Sequence, residues 1–572
     1  MARRLTGFSF VLLLVLGTAT AQPLASVLPQ ETIFAVGTEG IASHADKLEP
    51  IIAEAERLEL GQAFRDAFGY EDELSTEVPE ELGDLAPLDL VGQEAWLTVS
   101  ISDFNPLPAL TAVSRVSGGA ADQLGASLEE AAAQEGATTL TEGDVTIYQF
   151  PLDSEDEGSP FQVMAVARSG DVFVLSTNPE VLRGVLRRLA GANEPGFTDS
   201  EGYRVALDPL GSGNVYFYLD MQRLAGALRP LANGTGYDQL IQRALAGLET
   251  FGQIGSVTTI ERDGFSSSSL RLPGTGDEMV MALLSGQEPA SREPLDFVSP
   301  DALGVQVTSL DIPAWWDYLS DVARSSDELG NPELDQMITQ FTGIDIRTAL
   351  LDWMGDGAAT ITGDLGAPVQ PGVPSENLLG NAVYMIETTD EQAASQGLSM
   401  LFGMVGGMVA GFADPTGAGA PQVAQRVSSG VQVTSYNVAP GVHVGFAVTD
   451  GWVLISTSEE GMDAALAARA SGTGIGGVLG RLVSEVPDEA TSYAVSDVQQ
   501  TLEQTGAQMA AQVQMFAGMT GGDIDFQALE QAGAAIQEFF SFLAQRAGGS
   551  VTYTVPEGAG VFRGHGMTEF DW

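Results

Sequence analysis

The chain has 572 residues, of which 24 are Lys or Arg and 77 are Asp or Glu, so its formal net charge is −53. A surface this acidic repels phosphate backbones and anionic lipid head groups, which argues against nucleic-acid binding. The sequence has no cysteine and only three histidines, which excludes disulfides, thiolate metal sites and a cysteine nucleophile. No cofactor is indicated. Because 44% of the residues are hydrophobic, we expect a globular chain whose acidity serves solubility.

The N-terminus has the pattern of a secretory signal peptide. Arg3 and Arg4 precede an apolar run from Phe8 to Leu16, and Ala19-Thr20-Ala21 forms an A-x-A cleavage site. The apolar run is too short to span a bilayer comfortably. We therefore predict a signal peptide over residues 1–21 and a mature chain that begins at Gln22 and is periplasmic or secreted.

Two stretches of the sequence share one design, residues 161–189 and residues 442–470. In each, an apolar run meets a polar turn, Gly170-Asp171 or Asp450-Gly451, and a second apolar run leads into a segment with helical spacing. This order predicts a β-hairpin, a helix cap and an amphipathic helix. The two copies are offset by 280 residues, from Val172 to Trp452.

The copies belong to a longer internal repeat, because other blocks recur in the same order. Pro29 corresponds to Pro300, and Asp220 corresponds to Asp497. Strands joined by hairpins, with helices between them, favour an α+β fold built as two tandem repeats of mostly antiparallel sheet, with helices packed on one face. The predicted domains are residues 22–273, a linker over 274–294, and residues 295–572.

The repeat motifs resemble those of an uncharacterised bacterial envelope family, domain-of-unknown-function family 3352. The resembling residues are the Leu-Pro-x-x-Thr entry at Leu28, Gly343-Ile344-Asp345-Ile346, Leu351-Asp352-Trp353-Met354-Gly355, Ser176-Thr177-Asn178-Pro179 and Tyr218-Leu219-Asp220. The resemblance covers most of the mature chain. It implies an exported protein and supplies no active site.

Motifs that carry chemistry are few. Residues 472–477 match G-x-G-x-x-G, but the preceding segment has helical spacing rather than that of a strand, so we predict a loop. His443 is predicted to lie in a strand, and Asp220 and Asp497 to cap helices. Acidic runs at residues 71–84 and 153–157 are interpreted as solvated loops. Carboxylates converging from such loops would instead indicate a hydrolase.

The segment from Ala393 to Ala413 has no charged residue and repeats Met and Gly every four positions. Glycine at this spacing lets another backbone approach closely, and methionine fits irregular apolar surfaces. We predict a helix that packs inside the second repeat, with Gln508 to Met519 as its partner helix, and the alternative is a transmembrane anchor. The predicted packing or groove residues are Met400, Gly403, Met404, Gly407, Met408 and Gly411.

Three functions are compatible with the sequence. The preferred one is a non-catalytic, exported envelope protein that binds an unknown envelope partner or has a structural role. The second is a carrier of lipid or another apolar ligand, which would need an enclosed apolar groove. The third is a carboxylate-based extracytoplasmic hydrolase, which would need two or more acids in one cleft.

Overall fold

The structure is a computed structural model that describes residues 22–60, 93–102, 105–116, 118–152, 163–232, 238–325, 334–363, 381–413, 422–439, 442–472, 474–520 and 526–572. The predicted signal peptide and the acidic runs at 71–84 and 153–157 lie outside these residues. The described chain is a mixture of helices and one large antiparallel sheet, so the predicted α+β class is confirmed.

In the described part of the chain, twenty strands form one continuous sheet. The ten strands of the first half are β1 Thr32–Glu39, β2 Glu94–Ser102, β3 Asn105–Arg115, β4 Thr138–Glu142, β5 Val145–Pro151, β6 Val163–Ser169, β7 Val172–Ser176, β8 Val215–Asp220, β9 Gln253–Glu261 and β10 Gly264–Leu272. Those of the second half are β11 Gly304–Ser309, β12 Met354–Thr362, β13 Ala382–Thr388, β14 Gln422–Ser428, β15 Val431–Ala439, β16 Val442–Thr449, β17 Trp452–Ser456, β18 Ser492–Asp497, β19 Ala547–Gly558 and β20 Val561–Phe570.

The two halves have the same strand order. In the first half the order is β4-β5-β6-β7-β3-β2-β1-β8-β9-β10. In the second half it is β14-β15-β16-β17-β13-β12-β11-β18-β19-β20. All these pairings are antiparallel, and β10 pairs with β20 to join the halves. This shared order is the arrangement that an internal repeat requires.

Fifteen helices are described, α1 Ala45–Arg57, α2 Gly118–Gln134, α3 Pro179–Leu189, α4 Glu201–Ala206, α5 Met221–Ala232, α6 Asp238–Thr250, α7 Glu278–Ser285, α8 Ile312–Arg324, α9 Leu334–Thr342, α10 Ile346–Ala349, α11 Glu391–Ala413, α12 Glu459–Ser471, α13 Gly477–Val483, α14 Val498–Thr520 and α15 Phe526–Ala544. The predicted hairpin, cap and helix units are confirmed. Asn178 accepts hydrogen bonds from the amides that begin α3, and Ser458 does the same for α12.

Helices cover both faces of the sheet, so the prediction of helices on one face is wrong. In β7, Val172 and Val174 pack with α3, whereas Phe173 and Leu175 pack with α2 on the opposite face. We call the first face the front and the second the back. All five residues of β7 are buried, as expected for a strand with apolar cores on both sides. The second half repeats this arrangement, with α12 and α13 on the front and α11 on the back.

Each front core contains one tryptophan whose indole nitrogen donates to a carboxylate. In the first half, Trp96 Nε1 is 3.0 Å from Glu94 Oε1. In the second half, Trp452 Nε1 is 3.2 Å from Glu293 Oε2. The two tryptophans come from strands that are not equivalent. Each front core is therefore packed around an indole ring from a different position in the sheet.

Ion pairs between helices also join the two halves, and each half contributes a C-terminal helix that contacts a helix of the other half. From the first half, Arg243 of α6 pairs at 2.8 Å with Asp321 of α8 in the second half. From the second half, Glu538 of α15 pairs at 2.5 Å with Arg57 of α1 in the first. The predicted linker at 274–294 is more than a spacer, because it contains α7, which packs on α8 and on Phe562 of β20.

Candidate functional site

Helix α11 carries the residues that the sequence singled out, and its packed stripe is different from the predicted one. Asp390 caps the helix through the amides of Gln392 and Ala393, both 3.0 Å away. The helix then buries Ala394 and Leu398, and it packs Phe402 onto the same back-face core. The ring of Phe402 stacks on two strand residues, Tyr436 at 5.4 Å and Phe446 at 5.6 Å.

The predicted Met and Gly stripe points away from this core where it is described. Met400 is 53% exposed, and a Cβ built on Gly403 would meet no atom within 4 Å. Met404 is half-buried. The stripe therefore does not line a packed interior at Met400 and Gly403, because Ala394, Leu398 and Phe402 already occupy that side.

For the other three predicted site residues, the structure describes the helix but not the side-chain surroundings. Gly407, Met408 and Gly411 belong to α11, but their contacts lie outside the described residues. The glycine that brings a backbone close is Gly397 instead, since a Cβ there would lie 1.9 Å from the carbonyl oxygen of Ala349 in α10.

The predicted partner helix stays a prediction, because the side-chain surroundings of residues 405–413 and 511–519 lie outside the described part of the chain. Residues 508–519 belong to α14, which packs along α15, the next helix in the chain. A Cβ on Gly506 would lie 2.6 Å from Cβ of Phe540, so the two helices approach closely. In its described part, helix α11 packs on α10 and on the strands of the back face.

Exposed apolar side chains concentrate in the second half. Of the nine large hydrophobic residues that are exposed in the described chain, six lie between residues 319 and 427, namely Leu319, Phe341, Tyr384, Met400, Val423 and Val427. Four of them lie on the back face of the strands or on α11. We call Tyr384, Met400, Val423 and Val427 the apolar surface.

Strand register places these residues on one face. Tyr384 lies opposite Ile455, which packs on the back-face core. Val423 lies opposite Tyr436, a member of the same core. Val427 is four positions from Val423 on the same strand and so shares its face.

The described residues of the first half show no equivalent of this surface. Ala112 lies opposite Leu175, as Tyr384 lies opposite Ile455, so Ala112 and Tyr384 hold the same place in the two sheets. Ala112 is 5% exposed beneath α2, whereas Tyr384 is 47% exposed. Helix α2 also carries three acidic residues, Asp122, Glu129 and Glu130, whereas α11 carries one, Glu391 in its first turn. The shared fold therefore does not require the apolar surface.

Buried carboxylates in the described chain bind backbone amides. Glu94 Oε1 accepts from the amides of Leu24 at 2.7 Å and Ala25 at 3.3 Å, and burial raises the pKa of this carboxyl. Asp220 accepts from the amide of Arg223 at 2.8 Å and so caps α5. Its counterpart Asp497 caps α14, through the amide of Gln500 at 3.0 Å, so both predicted caps are confirmed.

The third buried carboxylate behaves in the same way. Asp277 accepts from the amide of Met279 at 2.9 Å at the start of α7, and its other oxygen is 3.0 Å from Arg243. These acids hold chain segments in place, which differs from the pair of convergent acids that a hydrolase needs.

A small cleft between α7 and α8 brings some acidic residues together. It is lined by Ala282, Leu283, Gly286, Gln287, Glu288, Ser309, Asp311, Trp315 and Asp356. Asp311 already caps α8, with its carboxylate 2.8 Å from the amide of Ala314. Within the described residues, this cleft is where the hydrolase alternative can be tested.

The remaining motifs have structural positions. His443 lies in β16 as predicted, and burial lowers the pKa of its imidazole, which is 3.9 Å from Glu459. The G-x-G-x-x-G segment joins α12 to α13, so no strand precedes it, as the loop prediction requires. Within the described ranges, no group of three or more His, Asp or Glu side chains is arranged to hold a metal ion.

Comparisons with known proteins add little to this picture. No family model matches the chain, and no curated protein matches it. Among solved structures, the chain aligns with one described as "Structure of crystal form III of TP0453", with a TM-score of 0.25 and 11% sequence identity. That alignment covers 48% of this chain and 91% of the other. A similarity this low assigns neither fold nor function, and the resemblance to family 3352 stays a prediction.

The sequence of α11 left a membrane-spanning helix as an alternative. Among the described residues, none of the helices combines the length and the apolar character that crossing a membrane requires.

Proposed function

We propose that this protein is exported and acts outside the cytoplasm as a non-catalytic envelope protein with a binding or structural role. The observation that carries the binding role is the apolar surface. Four large apolar side chains are exposed on the back of the second half, although the chain as a whole carries a net charge of −53. Within the apolar surface, Val423 and Val427 lie on one face of the same strand, and adjacent exposed apolar side chains of this kind mark interaction sites.

Export is supported by where the first structural unit begins. The short 3-10 helix Leu24–Val27 has its counterpart in Glu293–Phe297, because Pro23 and Pro29 correspond to Pro294 and Pro300. Leu24 and Val27 are fully buried. The first buried element of the described chain thus begins shortly after the predicted cleavage site, which is the arrangement expected if residues 1–21 are removed.

The hydrogen bonds of the buried acids support a non-catalytic role. Glu94, Asp220 and Asp277 are each bound to backbone amides, and none of these three is paired with a second buried acid. An acid fixed in this way is a structural group rather than a proton donor to a substrate.

The test of export is cell fractionation followed by intact mass measurement of the recovered protein. We expect the protein outside the cytoplasm with a mass that begins at Gln22. An uncleaved chain retained in the cytoplasm would contradict the proposal.

The binding role is tested with purified mature protein and its own envelope extract, using chemical cross-linking and mass spectrometry. We expect cross-links between an envelope protein and α11, β13 or β14, and the loss of these cross-links to the partner in Met400→Glu. The matched control is Ala126→Glu on α2 of the first half, which should change nothing. Cross-links spread evenly over both halves would contradict a role for the apolar surface.

The two alternatives have their own readouts. Lipid mass spectrometry of the purified protein tests the carrier, which predicts a bound lipid at about one per chain. Hydrolysis assays on envelope glycans test the hydrolase. The variant Asp356→Asn removes one acid of the cleft and should abolish any true activity there.

A further inference from the structure

Strand β14 is one of the two outer edges of the sheet. It pairs with β15 over seven residue pairs, from Gln422 opposite Asn437 to Ser428 opposite Val431. No other strand of the described chain pairs with it. An unpaired edge offers a row of backbone donors and acceptors to another strand.

The exposed side chains on the back face of this edge are apolar, whereas edge strands usually carry charged side chains that prevent pairing. Val423 is 56% exposed and Val427 is 73% exposed, and both lie on the back face. The charged residue of the strand is Arg426, which points to the front and pairs at 2.5 Å with Asp463 of α12. The back of β14 therefore lacks the charge that usually keeps an edge from pairing.

The sequence of β14 is complementary to itself in an antiparallel register. If Gln425 of one copy lies opposite Gln425 of a second copy, each Val423 lies opposite a Val427. Both valine pairs and the glutamine pair then fall on the back face, since alternate residues share a face. Cross-strand pairs of β-branched residues stabilise such ladders, and two glutamine amides can bond each other.

The other outer edge has a different composition. Strand β4 is five residues long, with the sequence Thr-Thr-Leu-Thr-Glu. It ends in Glu142, which lies 3.8 Å from Arg183 and 3.9 Å from Arg187. A short strand of threonines with a charged end is an edge protected against pairing. The two halves thus differ at their outer edges, as they do at the apolar surface.

The molecule already contains one contact of the kind that β14 could make. Strands β10 and β20 are the inner edges of the two halves, and they pair antiparallel from Gly264 opposite Glu569 to Arg271 opposite Phe562. Two sheets of the same topology are therefore joined edge to edge within the chain. A second edge-to-edge contact at β14 would extend the same sheet across two chains.

We propose that two copies of this chain associate through β14, as an antiparallel strand pair centred on Gln425. The pair buries Val423 and Val427 and makes one sheet of the sheets of both copies. This goes beyond the proposed function, because self-association depends neither on export nor on the absence of catalysis.

Charge makes a distinctive prediction for this dimer. The net charge is strongly negative, −53 over the full sequence, so two copies repel each other at low ionic strength. Salt screens that repulsion, with a Debye length of about 30 Å at 0.01 M and about 3 Å at 1 M. The dimer should therefore strengthen as salt is raised, opposite to an interface held by ion pairs.

The experiment is sedimentation velocity of the mature chain from about 0.01 M to about 1 M NaCl, the range over which screening changes most. We expect the fraction of dimer to rise with salt, and a Val423→Lys/Val427→Lys variant to remain monomeric with an unchanged melting temperature. The control Thr139→Lys/Thr141→Lys places the same charges on β4 and should dimerise normally. A monomer at every salt concentration, or a dimer that survives the β14 lysines, would overturn the proposal.

A second measurement locates the contact. The chain has no cysteine, so Gln425→Cys introduces a single thiol at the centre of the proposed pair. Mild oxidation should cross-link two copies of this variant, whereas Thr139→Cys on β4 should stay monomeric. Cross-linking through Thr139→Cys and not through Gln425→Cys would place the contact at the other edge and refute the β14 dimer.

Discussion

Ser268 lies directly opposite His565 where β10 meets β20, and the two residues hold the same place in their respective halves. Their equivalence follows from the ladders Tyr216–Val257–Ser268 and Tyr493–Tyr553–His565, which cross matching strands of the two sheets. A residue that faces its own counterpart in an antiparallel pair lies next to a two-fold axis. The halves are therefore related by a pseudo-two-fold axis at this junction, like the two subunits of a symmetric dimer.

The junction is packed with small residues on either side of that axis. Ser267 lies opposite Gly566, and Ser269 lies opposite Gly564. A Cβ on Gly566 would be 2.3 Å from the Ser267 hydroxyl, and a Cβ on Gly564 would be 2.2 Å from the Ser269 hydroxyl. The close approach of the two halves depends on these glycines.

We predict that Gly566→Val destabilises the protein by about 1–3 kcal/mol, the usual cost of forcing extra atoms into a packed contact. The valine would meet Ser267 across the strands and Thr552 beside it. The control is Met567→Thr, the next residue, which is exposed on the front face. Urea denaturation gives both free energies of unfolding, and equal values for the two variants would refute the tight junction.

The equivalent helix caps Asp220 and Asp497 should differ in importance. Asp220 is almost completely buried and also accepts from the hydroxyl of Tyr218 at 3.1 Å, whereas Asp497 is half-buried. We expect Asp497→Ala to cost about 1 kcal/mol, as a lost cap does. Asp220→Ala should cost about 2–4 kcal/mol, because it also leaves a buried donor unpaired. Chemical denaturation of the two variants checks the order, and a larger loss for Asp497→Ala would contradict it.

Glu94 should make stability depend on pH. Burial raises its pKa from 4.5, so the folded protein holds this proton to higher pH than the unfolded chain. The resulting stabilisation is complete below about pH 4.5 and is lost as the pH rises through the folded pKa. The Glu94→Gln variant lacks this titration. The free energy of unfolding of the parent, minus that of the variant, should therefore fall from pH 4.5 towards neutrality.

The control for this pH effect is Thr139→Ser, which changes an exposed residue without a titratable group. Its difference from the parent should stay flat over the same range. Denaturation curves at several pH values give both differences. A flat difference for Glu94→Gln would show that this carboxyl does not titrate above its ordinary pKa.

The face of α11 is tested by two substitutions on the same helix. Phe402 stacks on Tyr436 and Phe446, so Phe402→Ala should lose about 3 kcal/mol or more of stability. Met400 is exposed, so Met400→Ala should stay within about 0.5 kcal/mol of the parent. Thermal or chemical unfolding separates the two. A larger loss at Met400 would mean that the Met and Gly stripe is the packed side.

Local features of the fold could be predicted from the sequence because they depend on neighbouring residues. The turns at Gly170-Asp171 and Asp450-Gly451 and the caps at Asn178 and Ser458 follow from turn and cap chemistry. The sequence also contained evidence for helices on the second face of the sheet. The uninterrupted apolar run of β7 indicates a strand that is buried on both faces.

Features that depend on distant packing could not be predicted in this way. Met400, Met404 and Met408 have the same four-residue spacing as Ala394, Leu398 and Phe402, so periodicity alone could not select the buried stripe. The joining of β10 to β20 has no local signal, since each strand would look the same at a free edge. The apolar surface became visible only when register placed Tyr384 opposite Ile455 and showed its counterpart Ala112 to be covered.

The pseudo-two-fold pairing of β10 with β20 is tested most directly by a designed disulfide. The chain has no cysteine of its own, so Ser268→Cys/His565→Cys contains only the two introduced thiols. Opposed strand residues are within the Cα separation that a disulfide spans. Mass spectrometry of the oxidised, protease-digested protein should find the peptides of β10 and β20 linked in this variant. They should remain unlinked in Ser268→Cys/Glu569→Cys, where residue 569 lies opposite Gly264 instead. Absence of the 268–565 disulfide, or equal linkage in both variants, would contradict the paired halves.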